Sequence, residues 1–406
     1  MPDFKLNRAT VKYLAAFYSL FLSTIVTFAQ QPSAGGTLKI APSSAASVMA
    51  SQVFDEVNYI PLETTNESLF GTINKLFVTD KYFIIFDNDT HCILFFFKDG
   101  KFHCKINCDP HAYGITVNKE KNEVVFNKNG NLWYYDFNGK KLREEHEKFI
   151  GESYYFSKNR VGYAFYSADE KYYPDTISHE LFLANENKVY AEFLPYNNKK
   201  AAVQSKDNFY APAFYDIGSD TAVYFRRNFD YSIYRLTKNR LSKQYSFVFP
   251  LANSLPDGFY SDTSSKNKKI PYIQSHTDLI YGVGFPYQTG NNLFFRLEQW
   301  NAKSESYMYN LNSGNLISIR YMHPDSSTYY LPVTDLNYGD VFANQNFLTS
   351  DGKYIYSILS SAMMFQFNNT NADKKVQYNA VLKTYFAKRN RKDNPVIVQI
   401  KPKENF

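Results

Sequence analysis

Three of the seven histidines stand where chemistry could be done. His111, His276 and His323 each fall between strand-like stretches, and each has a carboxylate two residues away: Asp109, Asp278 and Asp325. Imidazoles titrate near neutral pH and bind metals, so three of them facing one opening would suit a metal ion or proton transfer. The competing reading is three solvated loop histidines with no common task. A second set is aromatic. Tyr113, Tyr172, Tyr173, Tyr260 and Tyr287 lie in loop-like segments, and a ring with an apolar face and a polar tip suits stacking on a sugar. With 35 Tyr and 36 Phe in the chain, most rings must instead fill a core. The candidate binding residues are therefore His111, Tyr113, His276, Tyr287 and His323; no catalytic or metal-ligating set is assigned.

Motifs with a stronger mechanism are missing. The chain has no Gly-rich phosphate loop, no Gly-x-Ser-x-Gly elbow and no His-Glu-x-x-His pair, so no cofactor is expected. Cys92, Cys104 and Cys108 cluster around one predicted hairpin. If that hairpin turns on Lys98-Asp99-Gly100, Cys92 faces Ile106 and all three thiols share one face. An oxidised pair and buried small apolar residues are both compatible with that placement.

The elements that must position these residues are strands. Residues 93–101 (ILFFFKDGK) return thirty-nine residues later as 132–140 (LWYYDFNGK), and each copy follows two earlier apolar strands. Four short strands per unit at a spacing of about forty are the mark of propeller blades. Weaker copies lie at 179–194, 231–249 and 307–321, and a sixth runs from 350–356 to 396–400. No sustained helical periodicity is seen. The reading is an all-β, six-bladed propeller of four-stranded antiparallel blades over residues 51–406. Residues 53–62 complete the last blade beside the C-terminal strand, so that no open sheet edge remains. Longer spacing in the later units marks inserted loops, the largest at 251–275.

The N-terminus predicts export. Lys5, Arg8 and Lys12 precede an apolar stretch that ends at Thr27-Phe28-Ala29, so residues 1–29 read as a cleaved signal peptide. No cysteine lies near the cleavage point, which argues against a lipoprotein. Residues 30–50, rich in Ser, Ala and Gly, read as a flexible leader. The net charge of +6 falls to about +4 without the signal, too mild for a nucleic-acid partner. The run at 388–392 is a solvated loop on this reading.

Residues 58–69 (NYIPLETTNESL), the turn Lys98-Asp99-Gly100-Lys101-Phe102 and the closing Asn394-Pro395-Val396-Ile397-Val398 resemble exported six-bladed propellers of Bacteroidetes-type bacteria, themselves akin to NHL-repeat propellers. The resemblance spans roughly residues 51–403 and implies the fold and export, but no activity. Members often carry a Gly-Pro-Gly-Glu-like loop after the first blade, where this chain has Asn107-Cys108-Asp109-Pro110-His111-Ala112-Tyr113. The functional expectation is a periplasmic or extracellular, non-catalytic propeller that binds a glycan, a peptide or an envelope protein through its channel-mouth loops. The alternative is a lyase or hydrolase of NHL-like type acting at the same mouth.

Overall fold

A computed structural model describes residues 36–146, 152–156, 159–163, 179–185, 188–195, 212–259, 262, 268–300, 304–335 and 347–406. The proposed signal peptide lies outside them. Six sheets form, and five begin with their innermost strand in chain order: Lys75–Val78, Tyr113–Asn118, Glu152–Phe156, Phe214–Tyr215 and Ile280–Thr289. The sixth runs Thr349–Ser350, Ile355–Leu359, Val396–Pro402, and its outermost strand is Phe54–Pro61 from the other end of the chain. The ring is closed as expected, in antiparallel register with Ile397 opposite Ile60 and Val398 opposite Tyr59.

The burial gradient explains the sequence pattern. Each blade is sandwiched between two others, so its middle strands are buried on both faces and read as continuous apolar runs rather than alternations. Tyr82–Asp87 is buried at all six positions, and Cys92–Phe97 at five. The outer strand Lys141–His146 (KLREEH) has no buried residue. Rings join neighbouring blades: Phe83 meets Tyr356, Tyr82 meets Phe137, and Phe247 meets Phe295, at centroid separations of 5.9, 6.0 and 5.0 Å.

Three expectations are corrected. Residues 36–50 were expected to be loose; instead Gly36–Lys39 and Ala46–Met49 run parallel to the outer strands of blades four and five. The apolar positions Leu38 and Ile40 are buried there, which a flexible leader would not allow. Two helices, Ser361–Thr370 and Ala380–Lys388, are inserted in blade six. Each is too short to show a sustained period, and each starts on a polar cap, Ser360 or Asn379, that accepts a backbone N–H. Finally, the register of the cysteine hairpin is shifted. A bulge between Phe95 and Phe96 puts Cys92 opposite Asn107 and Ile93 opposite Ile106. Cys92 consequently packs toward blade six, while Cys104 and Cys108 pack toward blade two. All three are free thiols, and burial pushes Cys104 and Cys108 up to about 11 and about 12.

Blades four and five share a buried charge pair. Arg226 Nη1 lies 2.6 Å from Glu298 Oε2, with the arginine side chain 1% exposed. A Cβ on Gly282 or Gly284 of the adjacent strand would collide with the Glu298 carboxylate, so this Gly-Val-Gly run provides the space for the ion pair. Removing one partner of such a pair strands the other charge and costs about 3–5 kcal/mol, whereas replacing both with apolar residues is far milder. Arg226→Met should therefore lower the urea midpoint strongly, and adding Glu298→Leu should recover most of the loss. Equal midpoints for wild type and Arg226→Met would contradict this role.

Candidate functional site

Inner strands from all six blades line a channel that is nearly filled. Its cavity of about 80 Å³ is bordered by residues including Lys75, Thr116, Glu152, Tyr215, Tyr287 and Leu348, room for little more than water. Glu152 accepts from the Ala213 N–H at 2.9 Å, and burial raises its pKa against the pull of Lys75.

The channel widens at the face formed by hairpin turns between first and second strands. The cavity there measures about 1140 Å³ and includes Tyr154 and Asp216, which also line the channel. Its walls come from turns of blades six, one, two and four: Asp351 and Tyr354, Asp80 and Lys81, Lys119 to Asn122, and Asp216 to Thr221. Blade three adds Tyr154, Tyr155 and Phe156, while Lys98, Asp136 and Asn138 come from outer hairpins. Among the described residues, blade five adds none to this wall. The turns of blades four and six meet over it, since Gly218 (φ +66°) abuts the Asp351–Gly352 backbone and a Cβ there would collide. Glycine is required at that crossing.

The half-buried charges in the cavity are largely spoken for. Lys119 Nζ pairs with Asp216 Oδ2 at 2.5 Å. Asp351 Oδ2 accepts the Tyr356 hydroxyl at 2.6 Å, and its Oδ1 accepts the N–H groups of Lys353 and Tyr354. Asp136 accepts from the backbone of Asn138 and Lys140. Lys98 is the exception. Its ammonium lies over the rings of Phe83 and Tyr356, 4.3 and 5.4 Å from their centroids, and makes no hydrogen bond or ion pair within the described residues. Burial lowers its pKa to about 8, with Lys119 acting in the same direction and Asp351 and Asp80 opposing.

The residues singled out from sequence are spread around the molecule. His111 is exposed in the turn between blades one and two, where Asp109 accepts its backbone N–H and pairs with Lys128. His276 ends the short helix Lys269–Ser275, stacks on Tyr272 at 4.2 Å and donates through Nδ1 to the Tyr272 carbonyl. His323 closes the outer strand of blade five, 3.0 Å from Ser47 Oγ. Asp325 binds the Ser51 N–H and caps its own turn. The three histidines line neither cavity, and no cluster suited to a metal occurs among the described residues. Tyr287 does border the channel, buried, with its hydroxyl on the Leu348 carbonyl at 2.7 Å. Tyr113 is exposed at the start of blade two, and Tyr172, Tyr173 and Tyr260 lie outside the described residues.

Sequence reasoning missed Lys98, Lys119, Asp216, Asp351 and Tyr356. A signal was present: Asp80, Lys119, Asp216 and Asp351 all follow an inner strand within two residues, so superposing the repeats brings them to one mouth.

Fold and mouth together define a six-bladed β-propeller with a polar, tyrosine-bearing cavity at one end of a plugged channel. The chain belongs to the DUF4934 family, a domain of unknown function whose model matches residues 37–401. An inferred exported protein from Bacteroides fragilis superposes with a TM-score of 0.67 at 16% identity, covering 91% of this chain and 100% of its own. A member of the DUF4221 family from Bacteroides vulgatus gives a TM-score of 0.42 at 10% identity over 86% of this chain and 97% of its own. A search of curated proteins finds no match. No helix among the described residues is long and apolar enough to cross a membrane.

Lys98 provides a direct check on the site. Acylation followed by peptide mass analysis should give it a midpoint near pH 8, while exposed lysines follow at about pH 10. A midpoint shared with the exposed lysines would remove Lys98 from a half-buried site.

Proposed function

We propose that this chain is an exported binding propeller that takes a glycan into the cavity at the hairpin-turn mouth. One observation carries the reading: an opening of about 1140 Å³ interleaves the half-buried rings of Tyr154, Tyr155 and Tyr354 with Asp80, Asn118, Asn138 and Asp220. Rings offer stacking platforms, and the amides and carboxylates offer partners for hydroxyl groups. The volume slightly exceeds that of a drug-sized pocket and suits several sugar units. Among the described residues neither histidine nor arginine lines this mouth, which favours binding over proton transfer by an imidazole. Export rests on the signal-like residues 1–29 and agrees with the description of the Bacteroides fragilis relative; it leaves periplasmic and extracellular placement equally served.

Thermal-shift screening of the purified protein against neutral and acidic oligosaccharides tests the proposal. A ligand at about a hundred times its Kd should stabilise by about 2.7 kcal/mol, and the combined Tyr155→Ala and Tyr354→Ala variant should lose the shift. A sugar shift that survives both changes would move the site elsewhere, and accumulation of cleaved sugar would replace binding with lyase or hydrolase action.

A further inference from the structure

The cavity also carries information about which glycan it takes, an inference that rests on the reading above. We propose that the bound saccharide is an acidic one, and that the Lys98 ammonium receives its carboxylate. An ammonium carries three N–H donors, yet Lys98 has only ring faces as partners: Phe83 at 4.3 Å and Tyr356 at 5.4 Å. A ring face attracts the charge without satisfying the donors. The half-buried carboxylates nearby are committed, Asp351 to Tyr356 and its own turn and Asp216 to Lys119, while Asp80, on the exposed rim, attracts the ammonium without forming an ion pair. The donors are therefore left for whatever enters the cavity that Lys98 lines.

The surrounding charges limit that guest. Lys81, Lys98, Lys119 and Lys121 stand against Asp80, Glu120, Asp136, Asp216, Asp220 and Asp351. Six carboxylates against four ammonium groups would repel a densely sulfated chain. A single carboxylate on Lys98, with neutral hydroxyls facing Asp80 and Asp220 on the exposed rim, meets no such penalty. Tyr356 and Phe83 beneath the ammonium fix its stem, so little side-chain freedom is lost on binding.

Calorimetric titration with an otherwise neutral tetrasaccharide carrying one uronic-acid residue, and with the methyl ester of that acid, separates charge from shape. The acid should bind about ten-fold more tightly at neutral pH, as expected for one charge-assisted hydrogen bond. Lys98 is charged below about pH 8, so that preference should be present at neutral pH and fade as pH rises through this value. Asp351 and Asp80, which favour the charged form, and Lys119, which opposes it, set where the loss falls. Lys98→Met should abolish the preference, the acid then binding no more tightly than the ester, and Lys98→Arg should keep it into alkaline pH because a guanidinium stays charged. The arginine variant keeps the test decisive if the methionine variant misfolds. Equal affinity for acid and ester in the wild type, or an undiminished preference in Lys98→Met, overturns the assignment of the carboxylate to Lys98 and leaves glycan binding standing. Failure of either tetrasaccharide to bind, with no other saccharide bound, overturns both. Tighter binding of a short peptide through its C-terminal carboxylate would overturn the saccharide and keep the lysine.

Discussion

A propeller blade buries both faces of its sheet, so a ring lacking one closed junction would expose two apolar faces to water. Here the junction is held at Asn394, a buried polar side chain amid apolar strands. Its amide donates to the carbonyls of Glu63 and Ser68 at 2.8 Å each and accepts from the Phe70 N–H. Glu63 then fixes the next blade: its N–H donates to the Gly100 carbonyl at 2.9 Å and its carboxylate accepts from the Phe102 N–H at 2.8 Å. Lys98 opens that same hairpin. Ring closure and the placement of the unpartnered ammonium are therefore one chain of hydrogen bonds.

Two charge pairs also tie separate blades together. Arg226 and Glu298 join blades four and five, and Lys119 and Asp216 join blades two and four across the mouth. Such pairs add little net stability against apolar packing but penalise any misplacement of one blade. The N-terminal segment reinforces the order. Strands Gly36–Lys39 and Ala46–Met49 lie on blades four and five before Phe54–Pro61 enters blade six, and Asp325 holds Ser51 on the way. The turn face can then be varied while the scaffold beneath stays rigid.

Legibility in the sequence followed the physics of each element. The thirty-nine-residue repeat and the closing strand were readable because doubly buried strands leave long apolar runs ended by Asp-Gly and Asn-Gly turns. The resemblance was carried by residues 58–69, 98–102 and 394–398, the three segments that the Asn394 and Glu63 bonds bring together. The strands at 36–39 and 46–49 were missed because their partners are two hundred or more residues away and their pattern is short. The cysteine register failed on one bulge, which reverses the face of every later residue. The mouth was sought at the inter-blade connections, where His111 lies, whereas the wide cavity opens at the hairpin turns. No single turn marks that face; only superposed turns do.

Hydrogen–deuterium exchange of the protein with and without the tetrasaccharide carrying one uronic-acid residue tests the central claim, that the hairpin-turn mouth is the binding face. Protection is expected at residues 79–82, 119–122, 216–221 and 351–354, which wall the cavity, with little change at the opposite turns. Protection centred on 108–113, 275–277 and 323, with the cavity turns unchanged, would contradict the account and return the site to the histidine-bearing segments.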